Sequence, residues 1–306
     1  MRNHRGHLLI PLLALLAALF AVPASAAPAS AASAVASYRT VVDGDDADVY
    51  YPTGTATGLP VALLLQGAKV GRSHYADYAS AIAAQGFVVV VPDHYRLMLF
   101  EYERYAAVDQ VTDTVAWMKD EKYDATSPLY KRIDSGTLAL LGHSFGGAAG
   151  LSAAEDACSL VFCPALSFGL PGQVKAASFY GTNNGLLGLI FADVDNRIPV
   201  QLVQGAADGI AAPADAEKTY AHLLNTPKQI VRVAGANHYG ITDVQNPSPA
   251  ETETSAQTLT QAASIEVAAR WAGRFLLAQL GDDAAADYVW RTGDASDTGV
   301  TVTGAP

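Results

Sequence analysis

The chain has 306 residues, half of them hydrophobic, and 30 acidic side chains against 19 basic ones give a formal net charge of −11. That length is enough for one α/β domain with a substantial core. The acidic balance repels phosphate backbones and anionic bilayers, which argues against nucleic acid as a partner.

At the start, Arg2 and Arg5 precede an apolar run from Leu8 to Val22, closed by Pro23-Ala24-Ser25-Ala26-Ala27. A basic beginning, a short apolar stretch and an Ala-x-Ala site form the pattern of a secretory signal peptide over residues 1–26. The rival reading is an uncleaved anchor, but the run is short for a bilayer and Pro11 interrupts it. Cleavage removes two Arg and no acid, taking the net charge to −13 and leaving nothing for stable membrane insertion. Residues 27–37 are small and patternless, a flexible leader.

From Tyr38 the pattern changes. "YRTVV" and "DADVYYP" alternate apolar with polar residues about Asp43-Gly44-Asp45, as half-exposed antiparallel strands do. Six short runs follow, at 60–67, 87–93, 137–144, 175–181, 198–205 and 228–235, apolar on both faces and several rich in β-branched residues. Such runs are strands buried on both sides of a parallel sheet. Helical patterns lie between them. The expected fold is α/β: a mostly parallel central sheet covered by helices on both faces, with an antiparallel edge, over residues 38–281. Residues 246–257 read as a polar, acidic surface loop and 282–306 as a weakly patterned tail. Cys158 and Cys163, with four residues between them, are expected to form a disulfide in a secreted chain; no neighbouring His suggests a zinc site.

The run "LALLGHSFGG" ends a buried strand in Gly142-His143-Ser144-Phe145-Gly146, followed by a helical pattern. In that context Gly-x-Ser-x-Gly is a nucleophile elbow, with Ser144 as nucleophile. A serine hydroxyl needs a base, and the chain order for this arrangement is Ser, acid, His. Downstream of Ser144 lie only His222, within a helical stretch, and His238, just past the last buried strand. Sites gather at the carboxyl ends of parallel strands, which selects His238 as base and Asp208, after the preceding strand, as acid; Asp193 and Asp195 compete for the latter role. The oxyanion donors expected are the backbone N–H groups of Phe145 and Ala68.

The motifs "GHSFGG", "QGAADG", "GANHYG" and "LLLQGA" resemble those of the α/β-hydrolase superfamily, over roughly Tyr38 to Gly281. The chain is similar to the secreted branch that includes polyester hydrolases, chlorophyllases, dienelactone hydrolases and platelet-activating-factor acetylhydrolases. The resemblance implies a serine esterase with no metal or organic cofactor, acting on a small or medium apolar ester through an acyl-enzyme. Gln66-Gly67 stands where lipases and esterases often carry His-Gly. Ala68 and Phe145 stand where polyester hydrolases usually carry an aromatic residue and Met. Acyl transfer with the same triad and a non-catalytic binding role are the competing readings. The lid region, 182–197, is short. Its "GLLGLIF" either lines the pocket or packs in the core, and "HYRLMLFEYERYAA" (94–107) either walls the pocket or caps a helix.

Overall fold

The computed structural model describes residues 1–2, 33–98, 100–186 and 189–306; but for Met1 and Arg2, the signal-peptide reading of 1–26 lies outside the described residues. The chain enters the sheet through an antiparallel pair, β1 (Val35–Val42) and β2 (Asp45–Pro52). Asp43 and Gly44 join them at φ 46° and 90°, the two positive values that a two-residue hairpin turn needs to follow the strand twist. β1 begins at Val35, so the stretch set apart as a leader reaches into the first strand.

Next come β3 (Leu59–Leu65), α1 (Ala76–Ala83), β4 (Val88–Pro92) and a protruding hairpin, β5 (Tyr95–Met98) with β6 (Glu101–Arg104). α2 (Asp109–Tyr123), β7 (Ile133–His143), α3 (Phe145–Ala154) and β8 (Val174–Tyr180) follow. A second small hairpin, β9 (Gly185–Leu186) with β10 (Ile190–Phe191), precedes β11 (Val200–Gly205). α4 (Pro213–His222), β12 (Lys228–Val233), α5 (Gln261–Gln279), the short helices α6 (Asp283–Asp287) and α7 (Gly293–Ser296), and β13 (Val300–Ala305) complete the chain.

Among the described residues nine strands make the main sheet in the order β1-β2-β4-β3-β7-β8-β11-β12-β13, parallel from β4 to β12. The uninterrupted apolar runs follow from this topology, because each inner strand feeds two cores. Leu63, Leu65, Val88, Val90, Leu138 and Leu140 face the core under α2 and α3. Their neighbours Ala62, Leu64, Val89, Val91, Ala139 and Leu141 face the core under α1 and α5. Thr260 caps α5 by accepting from the Ala263 N–H at 3.2 Å.

The segment 282–306 is not a detached tail. β13 pairs antiparallel with β12 from Lys228↔Ala305 to Val233↔Val300 and closes the far edge of the sheet. Edge strands lack a second apolar face, so only Val300 and Val302 announce it in the sequence.

Cys158 and Cys163 are joined in a disulfide. Replacing both with Ser is expected to cost about 2 kcal/mol through the lost constraint on so short a loop, read as a lower urea midpoint at an unchanged m-value.

Candidate active site

β7 carries its apolar run to the carboxyl edge of the sheet and turns at Ser144, which takes φ 52° and ψ −119° before α3 begins. A non-glycine residue held there stores about 1–3 kcal/mol of strain, so the surroundings must over-determine it. They do: Ser144 N–H donates to Tyr180 O at 2.9 Å, and Thr182 Oγ1 donates to Ser144 O at 2.8 Å. Gly146 has no room for a side chain, since a Cβ would run into the carbonyls of Leu65 and Gln66 at the end of β3.

Asp208 and His238 lie in the loops that follow the neighbouring parallel strands β11 and β12 respectively. His238 Nδ1 lies 2.9 Å from Asp208 Oδ2 and 3.1 Å from Oδ1, with both side chains sealed from solvent. The carboxylate can only accept, so Nδ1 carries the proton and Nε2 is left as the ring's acceptor. Asp208 is itself fixed by the N–H groups of Ala211 (2.7 Å) and Ile210 (3.0 Å) and by Gln204 Nε2 (3.1 Å). Ser144 and His238 line one cavity of about 330 Å³. Among the described residues no hydrogen bond joins the Ser144 hydroxyl to His238; such bonds are often long in an unliganded site and tighten with substrate.

After β3, Gln66 to Val70 form a loop against the same cavity. Gly67 N–H is already used, donating to Tyr75 Oη at 2.9 Å. Ala68 N–H and Phe145 N–H find no acceptor among the described residues. Lys69 sits at φ 62° and its N–H donates to Arg104 O at 2.8 Å, which ties the loop to β6. Asp93 braces this junction by holding Arg72 at 2.6 Å and Arg104 at 3.2 Å.

Two residues of the site were not singled out from the sequence. Tyr75 Oη accepts from Gly67 and donates to His143 Nδ1 at 2.9 Å, and His143 Nε2 donates to His238 O at 2.9 Å. Burial, and then the nearby His238, hold His143 well below the usual imidazole range, so it stays neutral with one nitrogen accepting and one donating. The loop after β3, the elbow and the loop after β12 are thus strung on one buried chain of bonds.

The walls answer the questions left open by the sequence. Residues 94–107 build the β5–β6 hairpin and deliver Tyr105 to the cavity, edge-on to Phe145 with ring centroids 5.4 Å apart. Phe162, beside the disulfide, packs on Phe145 at 5.2 Å, and Arg96 lies 5.7 Å over the Phe145 ring. In "GLLGLIF" the described Leu186, Leu189 and Ile190 neither line that cavity nor pack in the core, but stand in solvent. His222 pairs with Asp193 at 2.7 Å on the exterior, and Asp195 bonds Asn225 and Arg197; none of these lines the cavity.

The acidic segment 246–257 is an irregular and mostly exposed loop, as the sequence suggests, but it also contributes to the site. It bonds to Asn237 and His238, places Pro249 and Glu251 on the cavity wall and buries Glu253. Alternating polar residues hid this, because its contacts are hydrogen bonds rather than apolar packing.

Among the described residues no three His, Cys, Asp or Glu side chains group as ligands for a metal ion, and no helix is long and apolar enough to cross a membrane. Residues 20–169 match the model of the PETase family, described as PET hydrolase-like, a match that points to ester hydrolysis. A search of curated proteins found no match. The strand order, the serine turn between β7 and α3, and this family match over residues 20–169 agree on the α/β-hydrolase fold.

Proposed function

We propose that this protein is a secreted serine esterase that hydrolyses carboxylic esters through an acyl-enzyme on Ser144. The observation that carries the reading is the buried Asp208–His238 pair opening onto the cavity that Ser144 lines, beside the unpaired amides of Ala68 and Phe145. His238 Nε2 takes the Ser144 proton as Oγ attacks the ester carbonyl carbon. Charge on the carbonyl oxygen meets the Ala68 and Phe145 N–H groups, each such donor being worth about 3–4 kcal/mol in the transition state. Collapse expels the alkoxide, which takes the proton from His238. Water then repeats the sequence and frees the acid. Asp208 orients the imidazole and stabilises the imidazolium without taking its proton.

The PET hydrolase-like match supports esters of polymeric type, and Tyr105 and Tyr239 on the cavity wall, the former backed by Phe145 and Phe162, suit an apolar or aromatic acyl group. The disulfide supports export to an oxidising compartment after removal of residues 1–26. The catalytic domain is taken as residues 38–281, extended by β1 and β13 at its edges.

A fluorophosphonate probe tests the reading. One equivalent is expected to attach, mapping by peptide mass to Ser144. Absence of labelling, or labelling at another residue, overturns it.

A further inference from the structure

Glu253 is buried, yet it belongs to none of the steps above. Its Oε2 accepts from Gly209 N–H at 2.8 Å, the residue after Asp208, and from His238 N–H at 3.4 Å. Its Oε1 accepts from Ser255 N–H at 2.6 Å. Asn246 holds its backbone, accepting from Glu253 N–H at 2.7 Å. None of the ion pairs among the described residues involves Glu253. A buried carboxylate without a cation is costly unless amides satisfy it and a positive charge arises nearby.

Resting on the esterase reading, we infer that Glu253 is a positioning residue for the Asp208–His238 pair. One carboxylate clamps the acid loop to the base loop through the backbone N–H groups of Gly209 and His238, and adds a second buried negative charge against the loop whose imidazole must become positive. Burial pushes its carboxyl up, but the N–H groups of Ser255, Gly209 and His238 outweigh this and hold it below the usual range, so the charge is present at neutral pH.

The other groups around His238 do not supply that charge. Asp208 faces Nδ1, and neutral His143 lies 4.9 Å away between ring centroids. Burial pushes Tyr239 up to about 12 and Tyr180 well above its usual range, so both phenols stay neutral. Across the cavity Lys69 is paired with Glu101, and Glu251 stands at the exposed rim.

The test compares wild type, Glu253→Gln and Glu253→Asp on a short-chain p-nitrophenyl ester across pH, with thermal unfolding in parallel. For Glu253→Gln, kcat is expected to fall about tenfold at unchanged KM, because Glu253 does not line the cavity. Loss of the anion disfavours the imidazolium, so the acidic limb of kcat/KM is expected to move to lower pH by about 0.5–1 unit. Glu253→Asp keeps the charge and should restore the limb, with kcat partly recovered. A folded Glu253→Gln with wild-type kcat and limb overturns the inference, as does equal loss in both variants with an unmoved limb. If Glu253→Gln does not fold, Glu253→Asp decides alone: a wild-type limb with reduced kcat supports the role, and a displaced limb refutes it. Wild type without esterase activity would sink the parent reading instead, so the two failures are distinct.

Discussion

Ser144→Ala is expected to lower kcat on a short-chain p-nitrophenyl ester by about a millionfold. The substitution removes the atom that forms the acyl bond, and nothing beside it can replace that atom. The hydroxyl of Thr182, just past the end of β8, is committed to the Ser144 carbonyl at 2.8 Å. The residual rate should stay about a thousandfold or more above the uncatalysed one, since the Ala68 and Phe145 amides survive. The fold should survive too. Both bonds that fix the strained turn run through backbone atoms of residue 144, so stability is expected to move by about 0.5 kcal/mol or less. Steady-state kinetics and a thermal melt on the same preparation check both halves. A variant retaining one per cent of the wild-type rate would show that the hydrolysis runs elsewhere.

The part of this site that could be read beforehand is the part built from strands. "FVVVVPD" and "TLALLGHS" are legible because an inner strand must satisfy two cores at once, which leaves no polar position to confuse the period. Once those runs are placed, topology brings their carboxyl ends together. Residues 144, 208 and 238 then fall on one edge without any knowledge of their side chains. Gly146 belongs to the same class, since a backbone crossing demands it whatever the substrate.

What stayed hidden is held by polar contacts across long sequence separations. Tyr75 and His143 are bonded over 68 positions, and Glu253 reaches the base loop from fifteen residues further along the chain. No periodicity records such pairs, because each partner is a single polar residue in an irregular segment. β13 was missed for a related reason: an edge strand half open to water needs few apolar residues. His143 did carry a signal, in that an imidazole between Gly142 and Ser144 sits at the end of the buried run Leu138–Gly142. A histidine there must be neutral and doubly bonded to be tolerated.

Asp208→Asn should lower kcat by about ten thousandfold while leaving substrate binding nearly intact. The geometry says why so small a change does so much. The N–H groups of Ala211 and Ile210 both aim at Oδ1, which fixes that position as an oxygen in the variant. The new amide nitrogen must therefore occupy the Oδ2 position, 2.9 Å from His238 Nδ1, where it can only donate. Nδ1 then becomes an acceptor and the ring proton moves to Nε2, the atom that has to receive the Ser144 proton. The same nitrogen also meets Gln204 Nε2, a donor 3.1 Å from Oδ2. Turning the Gln204 amide would offer its oxygen instead, but at the loss of the bonds Nε2 makes to Gly205 O and Ala211 O. A modest loss of stability, about 1–3 kcal/mol, should accompany the kinetic defect. Nitrogen-15 shifts of the His238 ring would report the proton on Nε2 rather than Nδ1. A kcat reduced less than tenfold, or a ring still protonated at Nδ1, would strip Asp208 of its role as the acid.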